Sequence, residues 1–142
     1  MKPDRKRNFM LKVVLDTNVL VSALWTPAGN ASTIVDLILA NKIIPCFDQR
    51  ILQEYRAVLS RKRLAFPAGQ VDGLMAEIID KGLSVVVLPG TFAMPDEADR
   101  KFYDTAKHCE AFLITGNLKH YPNDPLIISP ARFLEISATA LS

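Results

Sequence analysis

Short apolar runs that alternate with amphipathic segments constrain the fold of this chain more than any other feature. The runs 11–15, 43–47, 83–88, 111–115 and 126–129 are rich in Val, Ile and Leu, and most are separated by segments with the apolar spacing of a helix. Strands that alternate with helices form parallel sheets, because each helix returns the chain to the same edge. We therefore predict an α/β fold, with a central parallel sheet of about five strands flanked by helices in an α/β/α sandwich.

Composition favours one folded domain. A length of 142 residues with 49% hydrophobic residues is enough for one core. We predict a basic leader without fixed structure at 1–9, the domain at 10–136 and a tail at 137–142. The net charge of +2 is too small to predict a nucleic-acid partner by itself.

The apolar runs and the two cysteines indicate the cellular compartment of the protein. No apolar run is long enough to cross a bilayer, so we expect no membrane role. Cys46 and Cys109 lie in apolar contexts without metal-ligand spacing. This pattern predicts buried thiols in a reducing compartment, and we expect the cytoplasm.

Oxygen-bearing side chains follow several of the predicted strands. Asp16 ends the first strand, Asp96 and Asp99 follow the loop after the third, and Thr115 and Asn117 stand at the tip of the fourth. The carboxyl ends of parallel strands meet at one edge of a sheet, where ligands bind. The sequence therefore predicts that these side chains converge there.

Carboxylates gathered at such an edge predict a metal site. Oxygen ligands suit Mg²⁺ or Mn²⁺, whereas zinc usually recruits His or Cys. A bound cation offsets the mutual repulsion of the acids and can promote phosphodiester hydrolysis. Two structural alternatives remain, since Asp16 could simply cap the next helix and Asp99 could lie in a solvated first turn. A nucleotide-binding domain is disfavoured, because DTNVLVS rather than a Gly-rich loop follows the first strand.

Four segments resemble the successive motifs of the PIN-domain family, and in particular its bacterial and archaeal toxin branch. They are VVLDTNVLVSAL at 13–24, ILQEYRAVL at 51–59, PDEADRKFYDTA at 95–106 and FLITGNLKHYP at 112–122. The match runs in order over nearly the whole chain. It implies a metal-dependent ribonuclease with a parallel sheet and an acidic pocket.

The resemblance assigns a role to each matching residue. Asp16, Glu54 and Asp99 occupy the positions of the family's acids, and are predicted to be catalytic and to bind the metal. Asn18 matches the polar residue that supports the first acid, and Thr115 matches the hydroxyl of the strand-four motif.

The chain departs from the pattern at Asn117, where many relatives carry a fourth acid. An amide can still bind a metal ion or water but brings no charge, which puts a strict two-metal mechanism in doubt. Asp96 or Asp104 could compensate, and we rank Asp96 first because Asp104 lies further along the same helix. The predicted metal ligands are therefore the three family acids with Asn117 and Asp96.

The sequence identifies the residues that contact RNA less specifically than it identifies the metal ligands. Arg61, Lys62 and Arg63 form the densest internal basic cluster, which could contact phosphates or simply be a solvated loop. Lys119 and His120 follow the fourth motif and are candidates for the same role, although an isolated loop histidine is more often structural.

The resulting functional hypothesis is an endoribonuclease that acts as the toxin of a toxin-antitoxin pair. The expected partners are an RNA substrate, a small antitoxin protein and a second copy of the chain. Two alternatives stay open: a housekeeping RNA-processing nuclease, and a catalytically weak module of the same fold that binds RNA or protein.

Overall fold

A five-stranded parallel sheet forms the centre of the protein. The computed structural model describes residues 10–140. The strands are β1 Leu11–Leu15, β2 Ile43–Phe47, β3 Leu83–Ser84, β4 Phe112–Ile114 and β5 Ile127–Ile128. Their order across the sheet is β3-β2-β1-β4-β5, and every neighbouring pair is parallel. The predicted parallel sheet is confirmed.

Six helices flank the sheet in the predicted α/β/α arrangement. They are α1 Thr17–Trp25, α2 Asn30–Leu39, α3 Gln49–Leu59, α4 Ala68–Lys81, α5 Arg100–Cys109 and α6 Pro130–Ala140. Three 3-10 turns lie between them, at Lys62–Leu64, Glu97–Asp99 and Leu118–His120. No helix among residues 10–140 has both the length and the apolar character needed to span a membrane.

The core is built around β1, which is the central strand. Val13, Val14 and Leu15 are essentially inaccessible to solvent, as expected for a parallel strand covered on both faces. Phe102 and Ala106 of α5 are buried against this part of the sheet. The residue that follows this buried central strand is Asp16.

The topology creates a crevice at the carboxyl ends of β1 and β4. From β1 the chain adds β2 and β3 on one side, and then returns to add β4 and β5 on the other. Ligands bind at such switch points because the loops diverge there. Leu15 pairs in register with Ile114, so the next residues, Asp16 and Thr115, stand side by side at the crevice.

The expectation of a strand over 83–88 is wrong in length. Leu83 and Ser84 pair with β2, opposite Cys46 and Phe47, and the last link to β2 is a hydrogen bond of 2.9 Å from the N–H of Val85 to the Phe47 carbonyl oxygen. Because the chain enters α3 soon after Phe47, the sheet offers little further backbone to pair with on that side. The segment beyond β3 is consequently exposed, with Val86 90% and Leu88 85% accessible.

Two helices differ from what the sequence indicates. Asp96 and Asp99, expected on the same helix as Asp104, precede it, because the 3-10 turn Glu97–Asp99 comes before α5 starts at Arg100. The last helix, α6, continues to Ala140 and so includes part of the segment 137–142 that we expected to be a tail. The predicted leader at 1–9 lies outside the described residues.

Both cysteines are free and buried, as the sequence predicts. Burial, with the neighbouring Cys109, raises the pKa of the Cys46 thiol to about 12. Since the thiolate is the reactive form, Cys46 is chemically inert at neutral pH.

Candidate active site

Asp16 is both a helix cap and a buried carboxylate. Its Oδ1 accepts a hydrogen bond of 3.4 Å from the backbone N–H of Asn18, and this contact caps α1. The residue is only 6% exposed. No ion pair reaches Asp16 from any of residues 10–140, although a buried carboxylate is costly without a cation. The capping and site interpretations are therefore compatible.

Two hydroxyl groups fix the other oxygen of Asp16. Oδ2 accepts hydrogen bonds from Oγ1 of Thr115 at 2.9 Å and from the hydroxyl of Tyr121 at 2.8 Å. Burial, together with the charge of Asp16, raises the pKa of Tyr121 well above its usual range, so the phenol remains a donor. Thr115 stands where the sequence predicts it, whereas Tyr121 was missed.

Glu54 reaches the site from α3, where it is held by two residues that the sequence analysis also missed. Thr17 donates its hydroxyl hydrogen to Oε2 of Glu54. Nζ of Lys101 lies 2.7 Å from Oε1, and the Lys101 side chain is only 16% exposed. Glu54 is therefore locked between the start of α1 and the start of α5.

Asp99 and Asp96 meet His120 at the edge of the site. One ligand atom from each of these residues lies within 4.8 Å of the other two, and no other trio of His, Cys, Asp or Glu in the described part of the chain does so. Nδ1 of His120 lies 3.2 Å from Oδ2 of Asp99. His120, predicted from the sequence only as an RNA contact, is by this geometry also a potential metal ligand.

The electrostatic environment of Asp99 is that of a cation site. Its Oδ2 is buried, and no hydrogen-bond donor of suitable geometry serves it within residues 10–140. Burial raises the pKa of Asp99, and the charges of Asp16, Asp96 and Glu54 raise it further, against an opposing effect of His120. A buried anionic oxygen that His120 contacts without a hydrogen bond of standard geometry, and that lies among other acids, fits a hard divalent cation.

The two asparagines organise the loop after β4. Oδ1 of Asn18 accepts a hydrogen bond of 3.3 Å from the backbone N–H of Gly116, and so ties this loop to the start of α1. The backbone N–H of Asn117 donates to Oγ1 of Thr115 at 3.0 Å, and its side-chain Nδ2 lies 2.9 Å from Nε2 of His120. Asn117 thus positions His120 beside Asp99.

Asp104 points away from the acidic crevice. Its Oδ2 accepts a hydrogen bond of 2.9 Å from the backbone N–H of Gly90, and Nη1 of Arg100 lies 3.8 Å from its Oδ1. It therefore anchors the loop before α5. The preference for Asp96 over Asp104 agrees with this geometry.

Four of the predicted basic residues are exposed and lie in two separate turns. Arg61, Lys62 and Arg63 are exposed beyond the end of α3, and Lys119 is exposed on the turn that carries His120. None of these four cations forms an ion pair within the described residues. They are free to meet an anionic ligand.

A switch-point crevice lined by carboxylates defines an α/β protein whose site suits a divalent cation. The chain belongs to the PIN-domain family, because that family's model, described as PIN domain, matches residues 12–119. Members of this family are generally metal-dependent nucleases, and this chain has a possible acidic metal site at Asp96, Asp99 and His120.

Among curated proteins, the chain is similar to one described as "Uncharacterized protein MJ1680" from Methanocaldococcus jannaschii. The two are 32% identical over 117 residues, which cover 80% of this chain and 76% of that protein. No solved structure matches the chain at a significant level.

Proposed function

We propose that this protein is an endoribonuclease that depends on a divalent metal ion and hydrolyses RNA phosphodiester bonds. The proposal rests on the convergence of Asp16, Glu54 and Asp99, whose charges interact although they come from β1, α3 and the turn before α5. Such a cluster is unfavourable unless a cation is bound. Membership of the PIN-domain family supports the same activity.

The proposed ligands are Asp16, Glu54 and Asp99, with Asp96 and Asn117 beside them. A bound Mg²⁺ or Mn²⁺ supplies an activated water and stabilises the charge that grows on the phosphate.

The chain's own residues prepare this site. Thr115 and Tyr121 hold Asp16 in one orientation, which leaves Oδ1 as its less engaged oxygen. The ammonium group of Lys101, 2.7 Å from Oε1 of Glu54, offsets the charge of that carboxylate.

His120 favours Mn²⁺ over Mg²⁺. Imidazole nitrogen is a good ligand for first-row transition metals, whereas Mg²⁺ strongly prefers oxygen. Because His120 stands with Asp96 and Asp99 within 4.8 Å, it can complete a site in which Asn117 brings no charge.

We further propose that the protein is the toxin of a toxin-antitoxin pair, acts in the cytoplasm as a homodimer and is inhibited by a small antitoxin. This assignment follows from the resemblance of the four motifs to the toxin branch, and the two free cysteines suit a reducing compartment. Growth arrest on expression should require the carboxylates. Equal toxicity from a chain with both Asp16→Asn and Asp99→Asn would remove the ribonuclease-toxin assignment.

A catalytically weak binding module is the second candidate, and Asn117 favours it. The amide supplies no charge at a position where many relatives carry an acid, and it is engaged with His120. This candidate predicts RNA binding that survives EDTA and no cleavage with Mn²⁺.

The deciding experiment is cleavage of a structured RNA pool by the full chain in Mg²⁺, Mn²⁺ or EDTA. Asp16→Asn should lower metal-dependent cleavage by at least about 100-fold while the circular dichroism spectrum is retained. Asp104→Asn is a matched control, because Asp104 is also a buried aspartate but faces the loop at Gly90. Cleavage at the parental rate by Asp16→Asn would exclude Asp16 from the mechanism, and a folded parental chain that never cleaves would favour the binding module.

A further inference from the structure

Trp25 is an exposed aromatic residue that the core does not use. It is the single tryptophan of the chain and the last residue of α1, and it is 60% accessible to solvent. Its ring meets Phe66 edge to face, with the ring centroids 6.1 Å apart. An exposed indole of this kind offers a flat face on which a base can stack.

A basic turn lies next to this aromatic pair. Arg61, Lys62 and Arg63 precede Phe66 by a few residues, and the turn is closed by hydrogen bonds from Leu64 N to Arg61 O and from Ala65 N to Lys62 O. The three residues from Arg63 to Phe66 can span at most about 10 Å. Cations that form no ion pair within residues 10–140 therefore lie within about 10 Å of Phe66 along the chain.

The aromatic pair and the acids lie at opposite ends of α1. At its start, Thr17 contacts Glu54 of α3, and at its end, Trp25 contacts Phe66, which follows α3 in the chain. α1 has 9 residues, so its two ends are about 13 Å apart at 1.5 Å per residue. Stacked nucleotides advance about 3.4 Å each along a strand. The separation thus corresponds to about four nucleotides.

We propose that Trp25, Phe66 and the basic turn Arg61–Arg63 form a subsite for single-stranded RNA, about four nucleotides from the bond that is cleaved. One base stacks on Trp25, and the basic turn neutralises the adjacent phosphates. Charge complementarity identifies the occupant, since unpaired cations beside an exposed aromatic ring are how proteins bind single strands with little sequence preference. The subsite rests on the proposed function, because its role is to hold the RNA that the acids cleave.

The test uses binding in EDTA, which separates this subsite from catalysis. Titration of the full chain with a single-stranded RNA oligonucleotide should quench the fluorescence of Trp25, which is the only indole in the protein. Anisotropy of a labelled oligonucleotide should show that Trp25→Ala weakens binding at least about fivefold, and that Trp25→Phe retains most of the affinity. A triple variant of the basic turn should bind the RNA more weakly and with a smaller dependence on salt. Its substitutions are Arg61→Gln, Lys62→Gln and Arg63→Gln.

Lys42→Gln is the control for charge, because Lys42 is an exposed cation beside the start of β2, at the edge of the sheet opposite the acids. It should leave the affinity unchanged. Unaltered affinity in Trp25→Ala, or duplex RNA or a protein bound in preference to single strands, would overturn the subsite. Binding of this pattern without any cleavage would support the subsite and defeat only the nuclease proposal.

Discussion

The hydroxyl of Tyr121 donates a 2.8 Å hydrogen bond to Oδ2 of Asp16, although the two residues are 105 positions apart in the sequence. Thr115 donates to the same oxygen. A carboxylate oxygen has two lone pairs, so these donors saturate Oδ2. Tyr121 therefore fixes both the rotation of the carboxylate and the oxygen that remains available.

Tyr121→Phe tests this relationship. Because the phenol is buried and bonds a charged group, we expect the free energy of unfolding to fall by about 1 to 2 kcal/mol. RNA cleavage should fall by about threefold to tenfold as Asp16 gains rotational freedom. Urea unfolding and initial rates measure both effects. Tyr103→Phe is the matched control, because its hydroxyl makes only a 3.4 Å contact with Asp124, and an equal loss in both variants would argue against a special role for Tyr121.

Asp99→Asn tests the repulsion among the acids. Without metal, removal of this charge should raise the melting temperature by a few degrees, because Asp16, Asp96 and Glu54 all oppose the ionisation of Asp99. Added Mn²⁺ should stabilise the parental chain and should stabilise the variant much less. Differential scanning fluorimetry gives both values. Asp72→Asn, on the exposed face of α4, should change neither, and full metal stabilisation of Asp99→Asn would remove Asp99 from the ligands.

His120→Gln tests the choice of metal. The parental protein should cleave RNA faster in Mn²⁺ than in Mg²⁺, and the variant should lose several-fold in Mn²⁺ while its slower rate in Mg²⁺ changes little. The ratio of the two rates at saturating metal is the measurement. A ratio that is the same in both proteins would show that the imidazole does not bind the ion.

The pH dependence of stability can be tested at Asp124, away from the acids. Burial alone would raise the pKa of this carboxyl, but the backbone N–H of Leu126 and the ammonium group of Lys107 outweigh it and lower the pKa below the ordinary value of 3.8. Asp124 therefore stabilises the fold above about pH 3.8, and this contribution is lost as the pH falls through the lowered pKa.

Asp124→Asn should accordingly lower the free energy of unfolding by about 1 kcal/mol at pH 7. The loss is modest because Lys107 is half exposed and solvent partly screens its charge. The difference from the parental chain should shrink towards zero in acid. Urea unfolding from pH 7 to pH 3 measures this trend. A deficit that is constant over the whole range would mean that packing, rather than charge, causes it.

Gly82→Ala tests the junction between α4 and β3. A Cβ atom there would lie 2.5 Å from both the Ile78 carbonyl oxygen and the Phe47 ring, and 2.6 Å from the Pro45 carbonyl oxygen. Backbone atoms cannot move aside without distorting the fold, so we expect the free energy of unfolding to fall by at least about 2 kcal/mol. Gly73→Ala, inside α4 with open space around it, should instead stabilise the protein by up to about 1 kcal/mol. Thermal or urea unfolding of the two variants should move in opposite directions.

The sequence predicts most of the secondary structure because each element carries its own periodicity. The bounds of β1 and β2 agree with their apolar runs, and Asp48, a residue type that favours helix caps, caps α3 by accepting from the N–H of Ile51. The predicted strand over 83–88 is too long, because its β-branched residues favour extended backbone but do not indicate whether a partner strand is available. That depends on where β2 ends.

The site was predictable only in part, for a related reason. The acids and Thr115 stand at or near strand ends, and their convergence follows from the topology of a parallel sheet. Thr17, Lys101 and Tyr121 hold those acids through contacts between distant segments. A tyrosine in the motif FLITGNLKHYP gives no sign that it bonds Asp16 until the loop after β4 is folded.

The pairing of Asp16 with Thr115 and Tyr121 also has a consequence for biosynthesis. Thr115 and Tyr121 follow Asp16 by 99 and 105 positions. A nascent polypeptide on the ribosome presents Asp16 long before β4 has been translated. The acidic site is therefore incomplete until the loop after β4 has been synthesised, and a polypeptide that terminates before this loop is released without the site.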